Sequence, residues 1–264
     1  MINTDQDEMV SIITPSYNTV NYIYETVLSV VQQTYNNWEM IIVDDHSTDG
    51  SVKRIQEIIC EFRNKRIKLI INKQNRGAAF SRNLALREAK GKWIAFLDSD
   101  DIWLPYKLEK QIRFMKDTKS HFSYTKYSEI DEDSKQLGRI ISGPKKITKT
   151  GMYNYCWPGC LTVMYEADYV GLIQIADIQK NNDYAMWLKV VNVADCYLLN
   201  EILALYRKRI GSISNQRYSN LIKWHFRLFR SAEKQNVVTS IVLTVRNLFC
   251  GSLKKIIYVK KVLT

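Results

Sequence analysis

The chain of 264 residues carries 38 Lys+Arg against 27 Asp+Glu, a formal net charge of +11, and is 46% hydrophobic. That apolar share excludes a disordered chain, and only 10 Gly and 4 Pro exclude fibrous or low-complexity classes. The length suits one large α/β domain, or one domain with a modest appendage.

From residue 10 onward, short β-rich runs alternate with amphipathic stretches. Residues 10–14 predict a strand, and 22–33, with Ile23, Val27, Val30 and Val31 on one face, predict a helix. Strands follow at 40–43, 67–71 and 93–97, with helices at 51–63 and 78–89. Such alternation predicts βαβ units and a parallel sheet covered by helices. Ligands of such sheets bind beyond the carboxyl ends of the strands. After residue 116 the pattern loosens. Residues 121–130 predict a strand, and 131–150, polar and bearing Gly138, Gly143 and Pro144, a mobile loop. Trp157-Pro158-Gly159-Cys160 predicts a turn before the apolar run 161–165. A helix is predicted at 183–193 and a short strand at 203–206.

The charge is uneven, for residues 219–264 hold +8 of the +11. There Lys223, Arg227, Arg230 and Lys234 form one helical stripe, beside Leu221, Trp224 and Leu228. Val238, Ile241, Val242, Val245, Leu248 and Phe249 form an apolar face, followed by Lys254, Lys255, Lys260 and Lys261. Basic, amphipathic, Trp-bearing helices suit an anionic membrane interface. The alternative is that they rest on the catalytic domain or on a second copy of the chain, as a homodimer. The polar, acidic residues 1–9 lack a signal-peptide pattern, and no uninterrupted apolar run predicts a bilayer span. Five scattered cysteines without paired spacing point to a reducing cytosol.

The strand ends carry the chemistry. Pro15-Ser16-Tyr17-Asn18 follows the first strand and Asp44-Asp45 with Ser47-Thr48-Asp49 the second. Asn75-Arg76-Gly77 and then Arg82 follow the third, and Asp98-Ser99-Asp100-Asp101 the fourth. Carboxylates gathered at one sheet edge repel unless a cation neutralises them, and hard oxygen donors suit Mg²⁺ or Mn²⁺. Helix capping explains any one of these acids but not the whole set.

Taken in order, these motifs resemble glycosyltransferase family 2, nucleotide-sugar enzymes of the GT-A fold, over about residues 10–214. The resemblance implies a mostly parallel, Rossmann-like α/β sheet flanked by helices. It implies a catalytic domain at 1–217, with a nucleotide-sugar half at 10–116 and an acceptor half at 117–217, before a basic helical extension at 218–264. Pro15, Tyr17 and Asp45 match the positions that hold uridine, and Arg82 the basic residue near the nucleotide. In the Asp98-Ser99-Asp100 motif, Asp98 is expected on ribose or metal and Asp100 on the Mn²⁺ or Mg²⁺ ion, with Asp101 beside the metal or sugar. Arg207 opens the segment 206–214 that resembles the family's diphosphate cover. Lys208 and Arg209 stand there in place of a common His. Asp183 matches the catalytic base, with Asn182 where the family often has Glu; a simple helix cap is the competing role for Asp183. Trp157, Gly159 and Trp187 fall where the family builds its acceptor pocket. The function implied is inverting transfer of a hexose from a UDP-sugar to a saccharide, lipid-linked, in bacterial surface polysaccharide synthesis. The enzyme is expected in the cytoplasm, peripheral on the inner face of the membrane. A nucleic-acid module lacks the interleaved aromatics such binding needs, and a Rossmann oxidoreductase lacks GxGxxG after the first strand.

Overall fold

A computed structural model describes residues 8–63, 65–176, 178, 180–209 and 218–261. Its first hundred residues realise the strand–helix alternation: β1 Val10–Ser16, α1 Ile23–Val31, β2 Trp38–Asp44, α2 Ser51–Phe62, β3 Ile67–Ile71, α3 Ala78–Glu88 and β4 Trp93–Phe96. Strands β1, β2, β3 and β4 pair in parallel, with Ile13 opposite Ile41 and opposite Phe96. Strands β1, β2 and β4 are buried along almost their whole length because both faces are covered, whereas β3 at the sheet edge is part-exposed. Alternate residues divide between two cores. Ile13, Ile41, Val43, Ile94 and Phe96 face α3, while Ile12, Met40, Ile42, Trp93 and Ala95 face α1 and α2.

The second half adds β5 Ile102–Trp103, α4 Lys107–Thr118, β6 Phe122–Ile130, β7 Gln136–Ile141, β8 Lys146–Ile147, α5 Lys149–Asn154, β9 Met164–Glu166 and α6 Ala167–Val170. Then come α7 Asn182–Val190, β10 Cys196–Arg207, α8 Tyr218–Arg227, α9 Val237–Ile257 and β11 Val259–Lys261. The sheet order is β11-β7-β6-β9-β4-β1-β2-β3, with β10 laid parallel along β6. Antiparallel β9 joins β4 to β6 and so connects the two halves.

Two expectations are corrected. Residues 131–150 are not a loop, because β7 and β8 lie there. Strand β7 is half-exposed and sits between β6 and β11, so its sequence shows no clear alternation. The stripe of Lys223, Arg227, Arg230 and Lys234 is not one α-helical face: a π-turn at Leu228–Ala232 interrupts it, and Lys234 has a left-handed φ of 53°. Among the described residues, α9 alone is long and apolar enough by length and composition to cross a membrane, with 22% of its apolar stretch buried. The C-terminal stretch is also tied to the sheet, since β11 pairs with β7 at Val259–Ile141 and Lys260–Ile140.

Candidate active site

The turn after β1 and the loop after β2 are stitched together. Asp44 accepts the Ser47 amide at 2.8 Å and its hydroxyl at 2.6 Å, while the Asn18 amide donates to Ser47 Oγ at 2.9 Å. Asn18, at a left-handed φ of 51°, returns the bond through its Oδ1 to the Thr48 amide at 2.9 Å. Pro15 is buried at this edge and the Tyr17 ring is 48% exposed, free to receive a planar ligand. Asp45 receives the Asn72 amide group at 2.7 Å, the Gly77 N–H at 2.6 Å and the Arg76 N–H on both oxygens. With the Arg76 N–H shared between both oxygens, three donors make four contacts and meet the roughly four acceptor positions of the carboxylate, so a ligand N–H enters only by displacing part of that shared contact.

Beyond β4 the three acids are each held by an arginine. Arg82, 7% exposed, gives one Nη to Asp98 and the other to Asn182 Oδ1 at 2.6 Å. Burial alone would lower the basicity of Arg82, but the Asp98 charge outweighs it and holds the guanidinium firmly protonated. Asp100 pairs with Arg209 Nε at 2.7 Å, and burial together with the Asp98 charge raises its pKa against the pull of Arg209. Asp101 is fully buried, accepting the Arg207 amide at 2.9 Å on Oδ1. Burial and the charges of Asp100 and Asp98 push Asp101 well above the ordinary carboxylate range. Its Oδ2 is buried without a hydrogen-bond partner. Ser99 is buried between these acids.

No three His, Cys, Asp or Glu side chains among the described residues form a ready-made metal cage. The donor set still fits a divalent ion. Mg²⁺-like ions are commonly held by one or two carboxylates plus substrate phosphates, which Asp98 and Asp100 can supply. The buried Asp101 Oδ2, without a hydrogen-bond partner, is a further oxygen at the end of β4 that the fold itself does not satisfy.

Arg207 departs from expectation. Its side chain is 1% exposed, and its nitrogens are engaged within the protein. Its Nε donates to Asp100 O at 2.8 Å, and Nη1 to Glu132 O at 3.0 Å and Ser134 Oγ at 2.8 Å. Nη2 pairs with Glu25. The residue ties the acidic loop to α1 and to the 131–134 turn. Its role was hidden because these partners are far apart in the chain. The expected diphosphate cover is described only as far as Arg209; residues 210–214 lie outside the described residues.

Helix α7 begins at Asn181, left-handed at φ 57° and without a side-chain cap. Asp183 is therefore inside the first turn and not the cap, with Oδ1 receiving the Tyr184 amide at 2.8 Å. Burial raises the Asp183 carboxyl, opposed by the Arg82 charge. Asn182, standing where the family often has Glu, is the hinge between the two sides: it holds Arg82, which holds Asp98.

The acceptor residues divide. Trp157 is half-buried, its ring edge-on to Tyr155 at 5.2 Å and to Tyr258 at 5.5 Å, and Nε1 donates to Gly151 O at 3.0 Å. Gly159 lies against Tyr127, where a Cβ would come within 3.0 Å of the ring. Trp187 is not at a pocket: it is fully buried, edge-on to Phe96 at 5.0 Å and tilted on Phe122 at 6.0 Å. Replacing a fully buried Trp should cost about 3–5 kcal/mol. Trp187→Ala is accordingly expected to fail a thermal-melt test before any question of acceptor binding arises.

A parallel-sheet edge with an exposed aromatic, an acid pair and a buried carboxylate across from it defines a nucleotide-sugar transferase of the GT-A type. Comparison with known proteins agrees. The glycosyl transferase family 2 model matches residues 11–164, and the chain belongs to that family. TuaG of Bacillus subtilis, a glycosyltransferase assigned to teichuronic acid biosynthesis, is 41% identical over 232 residues, covering 88% of this chain and 91% of TuaG. The Escherichia coli UDP-Glc:alpha-D-GlcNAc-diphosphoundecaprenol beta-1,3-glucosyltransferase WfgD is 38% identical over 217 residues, covering 81% of this chain and 83% of WfgD. Staphylococcus aureus TarS 1–349, solved in complex with UDP-GlcNAc, superposes with a TM-score of 0.68 over 91% of this chain and 71% of its own, at 21% identity, which speaks for the fold alone.

Proposed function

We propose that this glycosyltransferase is inverting and metal-dependent, moving a glucose- or galactose-type hexose from UDP to a lipid-diphosphate-linked saccharide during bacterial surface polysaccharide synthesis. Its place is the cytoplasmic side of the cell membrane. The observation that carries the reading is the Arg82 bridge, which joins Asp98 on the donor side to Asn182, the neighbour of Asp183, on the acceptor side. One guanidinium thus sets the spacing between leaving group and base.

Tyr17 offers its exposed ring to the uracil, with Pro15 buried at the same edge, and Asp45 takes a uracil N–H in place of part of the Arg76 contact shared between its oxygens. Asp98 and Asp100 would hold a Mn²⁺ or Mg²⁺ ion, with Ser99 and Asp101 shaping the loop around it. When bound, such an ion acts as a Lewis acid and stabilises the departing nucleoside diphosphate. Arg82 and Arg209 add positive charge on the same side. Asp183 removes the proton from the acceptor hydroxyl as its oxygen bonds the anomeric carbon and the bond to the diphosphate breaks. Trp157 and Gly159 line the acceptor approach. The beta-1,3-glucosyltransferase activity in WfgD's name supports both the inverting outcome and the lipid-linked acceptor.

The test is incubation with UDP-glucose and UDP-galactose, each with a synthetic lipid-diphosphate-GlcNAc acceptor, read as a one-hexose mass gain. No gain with either donor would remove the donor and acceptor assignment. A separate measurement checks the metal. Mn²⁺ should tighten UDP binding at least about tenfold, and Asp100→Asn should erase that gain while the melting temperature holds. Equal UDP affinity with Mn²⁺ and with EDTA would remove the metal role.

A further inference from the structure

Helix α9 is amphipathic but docked the reverse way from a core helix. Its buried residues are Ser240, Leu243, Thr244 and Asn247. Asn247 Nδ2 donates to Tyr184 Oη at 3.0 Å, and the Thr244 hydroxyl returns to Ser240 O at 2.7 Å. Gly251 lies so close to Tyr155 that a Cβ would come within 2.8 Å of the ring, and Lys254 Nζ donates to Trp157 O at 2.9 Å. Outward, Val238 is 72% exposed, Val245 60%, Phe249 65% and Ile256 79%, with Ile241 and Val242 about half exposed between them. At 3.6 residues per turn these six fall within about 100° of arc. Arg246 flanks one edge of the stripe and Lys255 the other, both exposed, and Lys260 and Lys261 follow. The sole acid between 219 and 261 is Glu233, which already accepts the Tyr153 hydroxyl at 2.6 Å.

A soluble helix turns its apolar side inward, so this orientation calls for an apolar partner outside. The bordering charges decide which. A two-fold contact with a second copy would bring Arg246 and Lys255 of each chain toward the same residues of the other, with no acid to offset them. Spanning a bilayer would strip Asn247 of its Tyr184 bond and place the polar face in hydrocarbon. Long basic side chains at the margins of an apolar stripe instead match lipid phosphates at the headgroup level.

We propose that α9 lies in the plane of an anionic bilayer, its Val238–Ile256 stripe in the acyl boundary and Arg246 and Lys255 among the phosphates. The inference rests on the preceding reading in one respect: because α9 touches Tyr184, Tyr155 and Trp157, this seating brings the acceptor side and the Asp183 helix to the lipid surface.

Vesicle flotation of the full chain, with no donor or acceptor present, tests it. The protein should float with vesicles containing phosphatidylglycerol, float poorly with pure phosphatidylcholine, and lose binding as salt rises. Val245→Glu with Phe249→Glu should cut the bound fraction at least about tenfold, with melting temperature and UDP affinity unchanged. Arg246→Glu with Lys255→Glu should cut binding to anionic vesicles alone. If the first pair lowers the melting temperature, Val245→Ser with Phe249→Ser serves in its place. Wild-type protein that ignores anionic vesicles overturns the proposal. So does resistance to alkaline carbonate extraction, which means a spanning helix. A wild-type dimer that the Val245/Phe249 variant converts to a monomer overturns it as well, since a second copy then covers the stripe. Hexose transfer to a water-soluble acceptor analogue, by both parent and variant, reports on the proposed activity independently.

Discussion

Asp183→Asn is expected to lower turnover at saturating acceptor by about 10²–10⁴-fold, the usual contribution of a positioned base. Size is kept, and the amide Oδ1 still accepts the Tyr184 N–H, so α7 retains its first turn. Donor binding should survive, because Asp98, Asp100 and Asp45 do not touch residue 183 in the described hydrogen bonds. The pH dependence has a definite sign. A base works deprotonated, and burial raises the Asp183 carboxyl above the ordinary Asp value of about 3.9. Activity is then present above the raised value and lost as pH falls through it, so the acid limb lies above that of an unperturbed carboxylate. The residual activity of Asp183→Asn should lack this limb. Calorimetry with UDP and a pH–rate profile settle the matter together. A loss below about tenfold, or a collapse of UDP affinity, would place the base elsewhere.

Arg207→Leu is the second large effect, expected on stability first and activity second. The substitution leaves the carbonyls of Asp100, Asp131 and Glu132 and the Ser134 hydroxyl without their donor. A buried acceptor stranded in this way costs about 1–3 kcal/mol, and several share this guanidinium. Glu25 is half-exposed and can turn to water, which trims the total. A net loss of about 3 kcal/mol follows, a fall of roughly 6–12 °C in melting temperature for a domain of this size. Arg207→Lys should recover little of it, because a single ammonium cannot reproduce the fork that serves five acceptors. If instead the melting temperature holds while UDP affinity drops, Arg207 binds the diphosphate, as its position in the motif first suggested.

The contrast between Arg207 and Arg82 shows what one chain discloses unaided. Arg82 and the acids at 98, 100 and 101 lie beside strand ends, and a parallel sheet sends every such end to one edge, so local reading was enough. Arg207 sits at a strand end too, yet its partners come from α1, the 98–101 loop and the 131–134 turn, and only the closed fold decides which way the side chain points. Trp187 illustrates the same limit. It lies one turn beyond Asp183 on nearly the same helix face, and only the closed fold brings Phe96 and Phe122 over it and makes it core. For α9 the sequence period declares an apolar face without stating its direction. The polar contacts of Asn247 and the close fit of Gly251 to Tyr155 turn that face outward. Strand β7 was obscured for another reason. A half-exposed strand between two others needs only its backbone bonds, and its residues carry little of the burial pattern on which strand reading depends.

The Arg207 clamp also imposes an order on folding. Its bond to Glu25 spans 182 positions, and its bonds to the acidic loop more than a hundred. Contacts of such separation form late, after nearby strands have already found one another. As the chain leaves the ribosome, β1 to β4 can assemble while the three acids at the end of β4 still repel each other without their clamp. The loop takes its final shape only when β10 has emerged and lies along β6. A chain that ends before β10 has the strands β1 to β4 but not the contacts that fix the loop after them.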